Sequence, residues 1–332
     1  MNQVSQWKPV QALLKQGLAQ LRGARVPSHA LAAELLLMHV LSRDRTWLYA
    51  HPQDVVPEED AHRFLALLAR RAAGEPTQHL TGKQEFWGLE FEVTPDVLIP
   101  RPETEHVVEV TLDRLAIHEI RAGRPQKTDG DGLRIADVGT GSGCIAVSLA
   151  SELPYARIYA LDQSPDALET ARRNAERLGV EGRITFLLSD LLHCSGEGRR
   201  DEREQEIENR EQGESRVGPL PVGRGSDWLP ELQMVVSNPP YVAERDRQNV
   251  MREVRDFEPR EAVFAGESGR EVYSKLIPQA AQAIRSGGYL VLELGYDSQE
   301  WVRGLLKPPE WDEVRWLPDL AGIVRVVTAR RA

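Results

Sequence analysis

Cysteine is nearly absent, with Cys144 and Cys194 the only two in 332 residues. They stand far apart, without a metal-ligand spacing or a disulfide framework, which excludes a disulfide-stapled scaffold and suits a reducing cytoplasm. Neither reads as a catalytic nucleophile. An excess of positive charge is missing too: 41 Lys and Arg stand against 51 Asp and Glu, for a formal net charge of −10. A broad electrostatic grip on nucleic acid needs clustered cations, so no direct nucleic-acid binding is expected. Long apolar runs are also lacking. The greasiest, Leu31 to Leu41, is broken by Glu34 and too short to span a bilayer. The polar N-terminal stretch lacks the basic-then-apolar order of a signal peptide, so a soluble, cytoplasmic protein is expected; a monomer is expected as well.

What remains is enough apolar sequence for two domains. Residues 4–22, 28–42 and 58–73 carry apolar side chains at three- and four-residue spacing, with Ser28 and the acidic pair Glu58 and Glu59 at helix starts. This predicts a small helical domain over 1–76, with Trp7, Trp47 and Tyr49 in its core. The helical pattern ends at Gly74-Glu75-Pro76. Residues 85–93 then alternate around Gly88 like a hairpin, and the Pro-stiffened turn Leu98-Ile99-Pro100-Arg101-Pro102-Glu103-Thr104-Glu105 feeds a helix running to about Ile120. The stretch 77–105 therefore reads as a linker, and 106–332 as a second domain.

From Leu133 strands alternate with helices: strands over 133–138, 156–161 and 184–188, and helices to about Glu152 and over 165–178. A later strand ends at Ser237, another covers 289–294, and 313–316 with 323–328 suggest a closing antiparallel pair. Such alternation predicts a doubly wound, Rossmann-like α/β sheet whose ligands bind at the carboxyl ends of its strands. Residues 194–226 differ, being dense in Glu, Arg and Gly. They are too polar to build a core and are expected to form a disordered or loosely helical insertion.

Two motifs carry the chemistry. The first strand runs into Asp137-Val138-Gly139-Thr140-Gly141-Ser142-Gly143, and Asp162 ends the next strand, where an acid accepts from ribose hydroxyls. Nicotinamide dinucleotides and S-adenosylmethionine both present that ribose. An acid at Asp137 repels a pyrophosphate but tolerates an ammonium and a sulfonium, and the third glycine is displaced from the dinucleotide pattern, so S-adenosylmethionine is the favoured cofactor. Asp190, ending the third strand, either accepts from an adenine amino group or caps its own loop. The second motif is Asn238-Pro239-Pro240-Tyr241, at the end of an apolar strand. The paired prolines stiffen the backbone and remove two N–H donors, leaving a row of acceptors that Asn238 extends and the Tyr241 ring covers, a slot suited to a primary amide or an exocyclic amine. A strand ending in an ordinary Pro-rich turn is the plainer alternative.

Together these motifs resemble the class I S-adenosylmethionine-dependent methyltransferases of the Asn-Pro-Pro-Tyr type. The segments Gly82-Lys83-Gln84-Glu85-Phe86-Trp87-Gly88, 98–105, Phe257-Glu258-Pro259 and Asp319-Leu320-Ala321-Gly322 resemble more narrowly the release-factor glutamine methyltransferases, the PrmC or HemK family. The resemblance implies a helical N-terminal substrate-recognition domain, a hairpin linker and a seven-stranded catalytic domain. It also implies methylation of the glutamine amide in the Gly-Gly-Gln motif of peptide-chain release factors, with Asn238, Pro239, Pro240 and Tyr241 holding the substrate. Leu191 stands where members often carry an aromatic beside adenine, and the 194–226 insertion is a second departure. Two other readings fit the Asn-Pro-Pro-Tyr slot or the fold: an amino-methyltransferase acting on adenine or cytosine in nucleic acid, and a silent Rossmann-like binding module.

Overall fold

The computed structural model describes residues 8–122, 132–194 and 229–332. Their contacts form two compact units. One comprises the chain up to Gln84 with Val93–Pro95 and Val250–Glu258; the other comprises Glu85–Glu92, Asp96–Asn249 and Pro259–Ala332. No described helix is long and apolar enough to cross a membrane.

The first unit is helical: α1 (Val10–Gly23), α2 (His29–Leu41), α3 (Arg45–Ala50), α4 (Glu58–Ala72), α5 (Thr77–Thr81) and a short helix at Arg252–Phe257. The expected first helix begins at Val10, directly after the extended Pro9, and the portion of that expectation before residue 8 lies outside the described residues. Ser28 stands before α2 in a left-handed conformation and caps no N–H with its side chain. In α4 the charges follow the macrodipole, with Glu58, Glu59 and Asp60 in the first turn and Arg70 and Arg71 in the last. Leu13, Leu36, Leu37, Phe64 and Leu68 are fully buried between these helices. Trp47 packs against this core and stacks on His51 with ring centroids 4.7 Å apart. Tyr49 corrects the expectation of a core aromatic. It is 61% exposed, and its hydroxyl donates to the buried Glu34, which also meets Arg45 at 2.9 Å. Trp7 lies outside the described residues. Arg71, itself buried, donates to Glu253 Oε2 at 2.6 Å and to the Glu75 carbonyl at 3.2 Å, which ties the helix Arg252–Phe257 to the end of α4.

A two-stranded hairpin, β1 (Lys83–Phe86) and β2 (Leu89–Glu92), turns through Gly88 at φ 69°. Phe86 and Phe91 bury their rings edge to face in the core of the second unit. Then come α6 (Glu105–Ala122), β3 (Leu133–Val138), α7 (Cys144–Glu152), β4 (Ala156–Asp162), α8 (Pro165–Arg177), β5 (Ile184–Asp190), the two-residue β6 (His193–Cys194) and β7 (Leu232–Ser237). After β7 follow α9 (Glu271–Ala283), β8 (Ile284–Glu293), α10 (Gln299–Leu305), β9 (Trp311–Pro318) and β10 (Val324–Arg331). α8 starts as its sequence dictates, with Pro165 in the first turn and the Ser164 hydroxyl accepting from the Ala167 N–H at 3.2 Å.

The strands lie in the order β6-β5-β4-β3-β7-β8-β10-β9. Neighbours from β5 to β8 pair in parallel, while β10 is antiparallel to both β8 and β9. Seven strands make the sheet, and β6 adds a two-residue antiparallel edge to β5. Central strands bury both faces: Ile135, Ala136, Met234, Val235 and Val236 have no exposed surface, as a parallel sheet covered on both sides requires. β3 lies between β4 and β7, so the strand order reverses there, and the crevice at such a switch point is where ligands bind in open α/β sheets. Of the expected insertion at 194–226, only Cys194 is among the described residues.

Candidate active site

The carboxyl ends of β3, β4, β5 and β7 open on a cavity of about 580 Å³, within the ~300–1,000 Å³ range of small-molecule sites. Gly139 and Gly141 line it with φ of 73° and 55°, and nothing lies within 4 Å of where a Cβ would stand on either. Their bare backbone therefore faces the cavity, and a side chain at either position would enter it. The loop is pinned from the next strand, because the Gly139 and Thr140 N–H groups both donate to the Leu161 carbonyl, at 2.8 and 2.9 Å. Gly143 serves packing instead. A Cβ there would stand 3.0 Å from Ala171 Cβ, so the glycine lets α7 start hard against α8.

Asp137 was expected to contact the cofactor. It is fully buried and does not line the cavity. Its Oδ2 accepts from Thr140 Oγ1 at 2.7 Å and from the Ala146 N–H at 3.1 Å, which fastens the loop to the start of α7 from behind. Burial pushes its carboxyl up to about 7 despite those two hydrogen bonds. Thr140, Ser142 and Gly143 likewise shape the loop without lining the cavity. Cys144 is buried beside them, its thiol pushed up to about 12 by that burial, so it stays an unreactive thiol.

Asp162 does line the cavity. One carboxylate oxygen accepts from the Gly141 N–H at 2.9 Å and the other from the Ser164 N–H at 3.0 Å, so each keeps acceptor capacity for a ligand. Burial raises its pKa against these backbone donors. Asp190 and Leu191, the latter at φ 55°, also line it, and the next N–H, of Leu192, is held by Gln279 Oε1 at 3.0 Å.

At the end of β7, the buried Ser237 donates to the Val138 carbonyl at 2.6 Å, which locks the Asn-Pro-Pro-Tyr segment beside the glycine loop. Asn238 and Pro240 line the cavity; Pro239 is buried, and Tyr241 stands outside the lining. The Asn238 Nδ2 donates to Thr104 Oγ1 at 2.9 Å, and Thr104 Oγ1 donates to Glu293 Oε2 at 2.7 Å. The Tyr241 hydroxyl reaches the other Glu293 oxygen at 3.4 Å. Glu293 is 3% exposed, and burial raises its carboxyl to about 7, with the Thr104 hydrogen bond opposing that rise. Sequence reasoning names Leu98 and Thr104 only as parts of the turn at 98–105 and gives no site role to them, to Glu293, or to Lys275, Asp96, Val97 and Phe264, the last four of which line the cavity with Leu98. For Glu293 a signal exists: it is a lone acid closing the apolar run 289–292.

A model of the PrmC N-terminal domain matches residues 12–82, and a methyltransferase-domain model matches 129–200. A protein of Koribacter versatilis named release factor glutamine methyltransferase is 40% identical over 95% of this chain and 95% of its own length. Proteins of the same name from Nitratidesulfovibrio vulgaris and Escherichia coli are 36% and 35% identical, over 97% and 96% of this chain and 95% and 97% of theirs. The chain belongs to the release factor glutamine methyltransferases.

Two expected outcomes follow for this methyltransferase. Gly295 lies behind the Asn-Pro-Pro-Tyr segment, where a Cβ would fall 2.7 Å from Tyr241 Cδ2 and 2.9 Å from Ser298 Oγ. Gly295→Ala therefore displaces the Tyr241 ring. The expected cost is ~1–3 kcal/mol of stability from overpacking, together with a fall in kcat, both measurable on one preparation. The second concerns Asp137. A carboxyl whose pKa is raised by folding holds its proton more tightly when folded, so its contribution to stability is full below the unfolded pKa of ~3.9 and declines as pH rises toward 7. Asp137→Asn keeps an acceptor and removes the buried charge. Denaturant midpoints from pH 4 to 8 are expected to fall with rising pH in the parent and to fall less in the variant.

Proposed function

We propose that the chain transfers a methyl group from S-adenosylmethionine to the side-chain amide nitrogen of the glutamine in the Gly-Gly-Gln motif of peptide-chain release factors, with Asn238, Pro239 and Tyr241 at the reacting centre. The posture of Asn238 carries this reading. It lines the cavity and gives its Nδ2 to Thr104, so Oδ1 is the end left to accept from a ligand beside the glycine loop.

An amide nitrogen is a weak nucleophile because its lone pair is delocalised into the carbonyl, and its proton is too weakly acidic for a side-chain base to remove beforehand. Catalysis therefore rests on orientation and on acceptors placed where positive charge develops. Asn238 Oδ1 and the Pro239 carbonyl take the two amide hydrogens. Pro239 and Pro240 carry no N–H, so no neighbouring donor competes for those acceptors. Tyr241, its hydroxyl turned to Glu293, walls the slot and helps exclude water.

S-adenosylmethionine supplies a methyl group on a positively charged sulfur. The donor set suits it: Gly139 and Gly141 offer open backbone, Asp162 keeps acceptor capacity for ribose hydroxyls, and Asp190 with Leu191 borders the cavity at the end of β5, for adenine. The helical domain at 1–76 serves to recognise the release factor, a task that places the enzyme in the cytoplasm with translation. Transfer of labelled methyl to an intact release factor tests this reading, against the same factor with the Gly-Gly-Gln glutamine replaced by alanine and against DNA and RNA. Label on the intact factor alone is expected; label on nucleic acid would favour the amino-methyltransferase reading instead.

A further inference from the structure

The hydrogen bonds behind the Asn238 amide have a direction. Glu293 and Thr104 are both buried, at 3% and 2% exposure, so neither can exchange its partner for water. Glu293 Oε2 accepts from Thr104 Oγ1 at 2.7 Å. A hydroxyl has one hydrogen; with that hydrogen committed to the carboxylate, only its lone pairs face Asn238. Lone pairs reject an amide oxygen and accept an amide N–H, which is the contact found, Nδ2 to Oγ1 at 2.9 Å.

We propose that Thr104 and Glu293 are positioning residues for methyl transfer, a polar relay that dictates which end of the Asn238 amide meets the substrate. The two ends of an asparagine amide have nearly the same shape, so packing alone cannot choose between them. Turned over, Asn238 would present N–H groups to the N–H groups of the substrate amide, and attack would meet repulsion instead of stabilisation. The relay makes the flipped state leave the Thr104 lone pairs against an amide oxygen, inside protein, at the cost of a buried hydrogen bond. The second Glu293 oxygen, reached by the Tyr241 hydroxyl at 3.4 Å, brings the other wall of the slot into the same network. The relay also ties the Pro-stiffened turn before α6 to the end of β8, two segments 189 residues apart in sequence.

This inference rests on the reading of Asn238 as the acceptor for the substrate amide, and the experiment separates the two. Thr104→Val is nearly isosteric and removes the relay; Thr104→Ser keeps it. Thr104→Val is expected to lower kcat at least ~10-fold, the scale of one misdirected buried hydrogen bond, with the dissociation constant of S-adenosylmethionine unchanged. Thr104→Ser restores most of the rate. In the Asn238→Ala background, which has no amide to orient, Thr104→Val is expected to add little further loss. Glu293→Met, which removes the carboxylate but keeps the side chain's length, is expected to slow turnover and, because it leaves the buried Thr104 hydroxyl without its acceptor, to lower the melting temperature as well. A wild-type rate in Thr104→Val, a loss that Thr104→Ser fails to restore, or a loss that adds in full to that of Asn238→Ala overturns the relay. A wild-type rate in Asn238→Ala itself overturns the acceptor reading beneath it.

Discussion

Asn238→Ala is expected to lower kcat on a release factor about a hundredfold, the scale of losing one preorganised transition-state hydrogen-bonding group. The affinity for S-adenosylmethionine is expected to change little, because the cofactor's proposed holders, Gly139, Gly141 and Asp162, belong to other strand ends. Asn238→Asp is the more revealing change. It keeps an acceptor, yet it brings a negative charge to the cavity and has no N–H to give Thr104, whose lone pairs face it. Turnover in that variant is expected to be reduced and not abolished, because a charge near a sulfonium stabilises the ground state along with the transition state. Single-turnover rates with cofactor binding measured separately distinguish the two variants. If Asn238→Ala methylates at the parental rate, Asn238 is a strand-ending residue only.

Asp162→Ala is expected to weaken S-adenosylmethionine binding about a hundredfold, since a hydrogen bond to a charged group contributes ~1.5–3 kcal/mol and the carboxylate has two roles here. One is the proposed acceptance from ribose hydroxyls. The other is internal, for Asp162 Oδ2 holds the Gly141 N–H and thereby the glycine loop itself. Asp162→Asn keeps one oxygen for Gly141 and is expected to bind better than the alanine variant. Calorimetric titration measures both, and an unchanged dissociation constant in Asp162→Ala would remove this residue from the cofactor site.

Local pattern carried a large part of the structure. Alternation of strand and helix after Leu133 predicted the parallel sheet, and the element bounds fall within a few residues of the expected ones for β3, β4 and α8. These segments are legible because each has a short-range cause, a period of two or 3.6 bounded by a cap, a glycine or a proline. Tyr49 was misread for the complementary reason. An aromatic at helical spacing normally packs inward, but the nearby buried Glu34 gives its hydroxyl a partner that keeps the residue at the surface. The helix Glu271–Ala283 forms around an internal proline, Pro278, because Tyr273, Leu276, Ile277 and Ala280 all bury against the sheet, a tertiary gain that outweighs the lost backbone bond.

The amino-acid sequence by itself determined the α/β architecture, the glycine loop, the acids at the strand ends and the Asn-Pro-Pro-Tyr segment, since each is written in consecutive residues whose backbone preferences act locally. Only the tertiary structure decided what those residues do to one another. Asp137 and Asp162 look alike as strand-ending acids, yet sheet packing buries the first behind the loop and turns the second into the cavity. The contact of Asn238 with Thr104 spans 134 residues, and that of Thr104 with Glu293 spans 189. No periodicity encodes such a contact. It exists because the fold closes three distant segments around the buried Thr104 and Glu293, where a polar group needs a partner within reach and each hydrogen can be given only once.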